Sequence, residues 1–187
     1  MRLRAIRCMF GMALLLGIFL PLNAQAPAAS RHATATRATT GKAADLPLID
    51  LDGYKKILAA YKGKPLLVTF WATWCEPCRY EYPDIVALAK EYRPKGLAVF
   101  GVSFDANADL HLVRDFLAKN RPDFPNYRQT PGIDVDAFNR GVNLEWTGTM
   151  PETIFYGRDG RIMVHFEGEH ARDDFAKAIQ AILAPGH

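Results

Sequence analysis

Apolar residues along this chain recur with two periods, and each period predicts an element. Leu66, Leu67, Val68, Thr69, Phe70 and Trp71 form a short, nearly continuous apolar run, the pattern of a strand covered on both faces. Ile85, Leu88, Ala89 and Tyr92 follow at i, i+3, i+4 and i+7, one stripe of a helix that Pro94 and Gly96 close. Residues 97–103 read as a second buried strand, and 109–120 as a second helix with Leu110, Val113 and Leu117 inward. Residues 122–131 read as a loop and 135–142 as a short helix. Thr153, Ile154, Phe155 and Tyr156 then form a strand, and Asp159-Gly160 supplies a hairpin turn. Beyond the turn, Ile162, Val164 and Phe166 alternate onto a buried face. Phe175, Ala178, Ile179 and Ile182 mark one side of a closing helix. The order βαβα, hairpin, α predicts an α/β domain: a mixed sheet with helices on both faces.

The first 45 residues differ in kind. Arg2, Arg4 and Arg7 precede an apolar stretch at 8–22, and Ala24, Ala26 and Ala28 follow it, so 1–26 reads as a secretory signal. That stretch is shorter than the roughly twenty residues that cross a bilayer. Pro27 blocks cleavage directly after Ala26, so an uncleaved membrane tether stays open beside cleavage at Ala24 or Ala28. Residues 27–45 lack a large apolar side chain until Leu46 and read as an Ala/Thr-rich linker. The predicted domain therefore runs over 46–187. Without the three leading arginines, 20 basic residues face 20 acidic ones, which argues against a nucleic-acid partner.

Export also changes the cysteine count. Removing Cys8 with the signal leaves Cys75 and Cys78 as the one pair in an oxidising compartment. A bridge across two residues closes too small a loop to constrain the unfolded chain much, so redox chemistry is the better use of it. The pair falls where a buried strand runs into a helix N-terminus, whose free N–H groups and dipole stabilise a thiolate on the first cysteine. Cys75 is then the exposed attacking nucleophile, and Cys78, one turn deeper, the resolving thiol. Pro77 fits an early helical position because its missing N–H would be unpaired there anyway. No metal site is expected: a structural zinc needs four ligands, and His32, His111, His165, His170 and His187 do not pair at finger spacing. His165 and His170 read as solvated histidines, and Trp71 and Tyr92 as core.

The run Phe70-Trp71-Ala72-Thr73-Trp74-Cys75-Glu76-Pro77-Cys78 resembles the active-site segment of the thioredoxin superfamily, nearest to its exported TlpA/ResA/DsbE-type branch. The resemblance spans about residues 46–183 and implies a thioredoxin-like fold and protein thiol–disulfide exchange. Met150-Pro151 occupies the place of that family's cis-proline loop, which faces the disulfide and pairs with substrate backbone. Glu81, three residues after Cys78, matches an acid that manages the resolving cysteine's proton. Trp74, Glu76 and Pro77 would border the bound substrate. Glu76 also disfavours the thiolate, which tilts the couple toward a reductant, because a stabilised reduced form is what makes a strong oxidant.

The expected partners are protein disulfides, with apocytochrome c the leading client, and a membrane-bound thiol-transfer donor that restores the dithiol. No cofactor beyond the Cys75–Cys78 dithiol is expected, and the setting is periplasmic or otherwise extracytoplasmic. Two alternatives stand beside this reading. One is a thioredoxin-fold peroxidase, although Pro65 and Thr69 do not place a cysteine where the Pro-x-x-x-Thr-x-x-Cys motif needs it. The other is a copper(I) metallochaperone using the same two thiols.

Overall fold

The apolar run at 66–71 is an interior strand of a six-stranded sheet in the computed structural model, which describes residues 46–185. The predicted signal and linker lie outside the described residues. The elements in chain order are β1 (Leu48–Ile49), α1 (Leu51–Tyr61), β2 (Leu66–Trp71), α2 (Glu76–Tyr92), β3 (Ala98–Ser103), α3 (Leu110–Asn120), β4 (Asn126–Gln129), α4 (Val135–Val142), β5 (Glu152–Tyr156), β6 (Ile162–Glu167) and α5 (Arg172–Leu183). The strand order is β1-β4-β3-β2-β5-β6. β2 pairs parallel with β3 and antiparallel with β5, so the sheet is mixed as predicted.

All six residues of β2 are buried, because each face of the sheet carries its own core. On one face Leu67, Trp71, Tyr82, Ile85, Phe155 and Phe175 pack with α2, α3 and α5. On the other, Tyr54, Phe70, Phe100, Phe138 and Trp146 pack with α1 and α4. The closing helix buries Phe175, Ala178, Ile179 and Ile182, the four residues of its predicted stripe.

Three parts of the architecture depart from the pattern. β1 and α1 precede β2 and lie outside the predicted elements, although Leu51, Tyr54, Leu58 and Tyr61 recur at helical spacing; α1 begins on the side chain of Asp50, which accepts a hydrogen bond from Gly53 N at 2.7 Å. The predicted loop at 122–131 contains β4, whose sequence Asn-Tyr-Arg-Gln is polar. It is a strand because its backbone pairs with β3 and β1, not because of its side chains. Its Asn126 is buried as a connector: Oδ1 accepts from Trp71 Nε1 at 3.1 Å and from the Tyr82 hydroxyl at 2.9 Å. A Cβ on Gly101 would lie 2.2 Å from that oxygen, so the close approach requires glycine there. Third, Ile162 at the start of β6 is 38% exposed rather than buried, and Leu110 and Leu117 are half-buried. The hairpin turn stands as predicted, with Gly160 at φ 81°.

Candidate active site

The chain leaves β2 at Trp71 and enters α2 within four residues, and a buried carboxylate fixes that turn. Asp105, just beyond β3, accepts from Thr73 N through both its oxygens at 3.0 and 3.1 Å, and from the Thr73 hydroxyl. The Ser103 hydroxyl donates to it at 2.7 Å. Sequence reasoning missed Asp105; its one signal is an acid directly after a buried strand, the end at which α/β sites form.

Cys75 is the N-cap of α2, and its sulfur accepts from Cys78 N at 3.3 Å. Pro77 falls in the first turn as expected. The two cysteines form a disulfide with Cα atoms 5.3 Å apart. Cys75 is 5% exposed and Cys78 1%, so their accessibility ranks as predicted. Cys75 is nevertheless buried rather than openly exposed. Its sulfur is held back over the first turn by its bond to Cys78 and by the Cys78 N–H. Trp74, immediately before it, is 61% exposed and Glu76 is exposed, where it accepts from the Tyr80 hydroxyl at 3.3 Å.

Glu81 lies one turn beyond Cys78 on the same face of α2 and is buried. It accepts one long hydrogen bond, from His170 N to Oε2 at 3.4 Å. Burial pushes its carboxyl up to about 8; the His170 N–H pulls it down, while the charges of Glu169 and Asp84 push it further up. A carboxyl in that range exchanges protons near neutral pH, which suits a group beside a thiol.

The Met150–Pro151 peptide is cis, and Glu152, the next residue, pairs with Phe70 at the end of β2. The cis-proline therefore stands across from the strand end that delivers the cysteines, and Met150 packs on the cluster holding both. Glu152 is fully buried, and burial raises its carboxyl. The Asn143 amide and His165 pull it back, and the charge of Glu167 adds to the rise.

The two histidines are half-buried and have partners, rather than being free on the surface. His165 lies between Glu152, 3.2 Å from Nδ1, and Glu145, 3.0 Å from Nε2. His170 stacks on Phe166 with ring centroids 4.2 Å apart. A buried carboxylate on the neighbouring strand recruits His165, a partner that alternation along β6 alone does not reveal. Trp146 is core: its ring packs 4.9 Å from Phe70 and its Nε1 donates to Thr149 O at 2.9 Å. Among the described residues no group of three or more His, Cys, Asp or Glu side chains could hold a metal ion.

A thioredoxin-like sheet carrying a Cys-x-x-Cys disulfide at a helix N-cap, with a cis-proline beside it, defines a thiol–disulfide oxidoreductase. Within that class the chain belongs to the AhpC/TSA family, whose model matches residues 39–165. It is similar to the thiol-disulfide oxidoreductase ResA of Bacillus cereus, 26% identical over 141 residues that cover 75% of this chain and 76% of the relative. The thioredoxin-like protein YneN of Bacillus subtilis is 43% identical over 96 residues, 51% of this chain and 56% of that one. Among solved structures, a thiol:disulfide interchange protein of the thioredoxin family from Chlorobium tepidum matches with a TM-score of 0.57 and 28% identity. That match covers 67% of this chain and 84% of the other.

Proposed function

We propose that this protein is an exported reductant of protein disulfides. The observation that carries the reading is the buried Glu81 carboxyl one turn below Cys78, at the base of a helix N-terminus that favours a thiolate on Cys75. In the dithiol form, the Cys75 thiolate attacks one sulfur of a client disulfide. A Cys75–client bond forms, and the other client sulfur leaves as a thiolate. Glu81 then takes the Cys78 proton, and the Cys78 thiolate attacks the Cys75 sulfur. The enzyme disulfide forms, and the second client sulfur departs and is protonated. The client gains two electrons, and the Cys75–Cys78 disulfide must recover two from a membrane-bound thiol-transfer donor. The dithiol serves as the whole redox centre, with no added cofactor.

The cis Met150–Pro151 segment and Trp74 would receive the client backbone, with Glu76 and Pro77 on the rim. Apocytochrome c before haem attachment is the leading client. Export through the 1–26 segment, cleaved or kept as a tether, would place the enzyme in the periplasm or an equivalent space. A peroxidase is disfavoured by position: counting from Pro65 and Thr69, the motif puts its cysteine at 72, where the chain has a fully buried alanine.

Two measurements test the reading. Cys78→Ser should trap clients on Cys75 as stable mixed disulfides; an accessible Cys75 that yields no adducts overturns the order of attack. The reduction potential of the Cys75–Cys78 couple should lie below about −150 mV. A more positive value would make the protein an oxidant.

A further inference from the structure

The segment that leads into the cis-proline is held from below by side chains of β5 and β6. Glu167 Oε1 accepts from Thr147 N at 3.0 Å and Thr149 N at 2.9 Å, and also from the Thr147 hydroxyl. Asn143 Nδ2 donates to Glu152 Oε1 at 3.3 Å, and Asn143 Oδ1 accepts from Glu145 N at 3.1 Å. The register Glu152↔Glu167 and Ile154↔His165 puts His165 on the same face as both acids, diagonal to Glu152. From there His165 reaches two carboxylates on opposite sides of the loop: Glu152, the residue after Pro151, and Glu145, whose side chain is 78% exposed.

We propose that His165 is a positioning residue for the substrate loop: its ring bridges Glu145 to Glu152 and so fixes residues 145–151 for pairing with a protein substrate. The proposal rests on the reading of Met150–Pro151 as the loop that receives substrate.

Proton counting carries the argument. A neutral imidazole has one N–H, so it satisfies one of its two carboxylates and turns a lone pair on the other. The imidazolium satisfies both. The ring meets Glu145 from the loop and Glu152 from β5, and Glu152 in turn faces Glu167 from β6, Tyr156 from β5 and Tyr54 from α1. The two tyrosine hydroxyls are 2.7 Å apart and stay neutral, since burial raises both. The cluster is therefore anionic apart from His165. Glu152 Oε2 and His165 Nδ1 are both buried without a hydrogen-bond partner among the described residues, so the 3.2 Å contact between this ring and this carboxyl is an ion-pair contact that a proton on Nδ1 strengthens. Burial raises the Glu152 carboxyl to about 7, so the Glu152–His165 contact holds a proton up to that range. When that proton leaves, the clamp opens on one side and the loop loosens without any change at the cysteines.

The test separates the loop from the thiols. The rate constant for reduction of insulin by the dithiol enzyme is divided by that for 2-hydroxyethyl disulfide, which is too small to use the loop. The division cancels the ionisation of Cys75. In the unmodified protein the ratio should fall about five-fold, the worth of one hydrogen bond, between about pH 6 and pH 9. H165Q should hold the ratio at its low, high-pH value throughout. E145Q, a surface change that leaves the core intact, should flatten the pH dependence in part. P151A is the reference for the loop itself. If P151A lowers the ratio while H165Q and E145Q keep its pH dependence, the proposal is overturned alone. If P151A leaves the ratio unchanged, the loop reading falls and the proposal with it.

Discussion

The two faces of the sheet each bury a glutamate near the end of β2, and they treat it in opposite ways. On the α2 face, Glu81 has one long backbone hydrogen bond and no cation among the described residues. On the α4 face, Glu152 has an amide and an imidazole within 3.3 Å. The burial is alike and the partners are not. Burial raises both carboxyls toward neutrality, Glu81 to about 8 and Glu152 to about 7, but Glu81 lies one turn from Cys78, where it can carry a proton for the thiol. A carboxyl met by a histidine becomes a fixing point, which makes Glu152 part of the scaffold for the cis-proline segment. Asp105 is the saturated extreme, holding Thr73 and Ser103 and leaving no oxygen free. The same functional group is a catalyst or a strut according to how many donors surround it.

The contrast breaks most visibly in kinetics. Glu81→Gln should slow attack by Cys78 on the mixed disulfide by about 10²-fold, the usual worth of a positioned acid–base group. Glu152→Gln should slow the same step far less. Rapid-quench trapping of the Cys75 adduct would show it accumulating in the first variant only. Equal slowing in both would erase the distinction.

Asp105→Ala should cost about 2–3 kcal/mol in denaturant unfolding, because it strands the buried Thr73 N–H and two hydroxyl groups. A loss below about 0.5 kcal/mol would mean that the turn before Cys75 is held by something else.

The pH dependence of stability comes next. The folded carboxyl of Glu81 sits at about 8 against an ordinary 4.5, so the folded protein binds the extra proton between those values. Stability is therefore full below the ordinary carboxyl range and is lost as pH rises through about 8. The loss should be on the order of 5 kcal/mol, and Glu81→Gln should abolish it. A pH-independent unfolding midpoint in the parent protein would show that Glu81 is already charged.

The smallest effect is expected at the exposed edge of the site. Trp74→Ala should change stability by no more than about 0.5 kcal/mol. It should still lower the rate with insulin several-fold, with no matching loss toward a small disulfide. Equal losses toward both would assign Trp74 to the thiols rather than to the client.

Much of the site was legible because its signals are local. Cys75, Pro77, Cys78 and Glu81 lie within seven residues, and helix geometry alone puts the first turn and the i+3 carboxyl on one side. Asp105 and the Glu145–His165–Glu152 bridge were not legible. Their partners lie 20 or more residues away, or across a strand pair whose register must first be known. β4 was hidden for a related reason: its place comes from backbone pairing, which a polar sequence between prolines does not advertise.

By itself, then, the sequence determined the dithiol, its place at a strand-to-helix junction, the mixed sheet and the apolar stripe of each long helix. These follow from residue type and short-range periodicity. Only the tertiary structure decided which carboxylates are buried, which have partners, and that His165 joins two of them. Desolvation and hydrogen bonding depend on neighbours brought together from distant parts of the chain, and those neighbours set whether an acid carries protons or holds a loop.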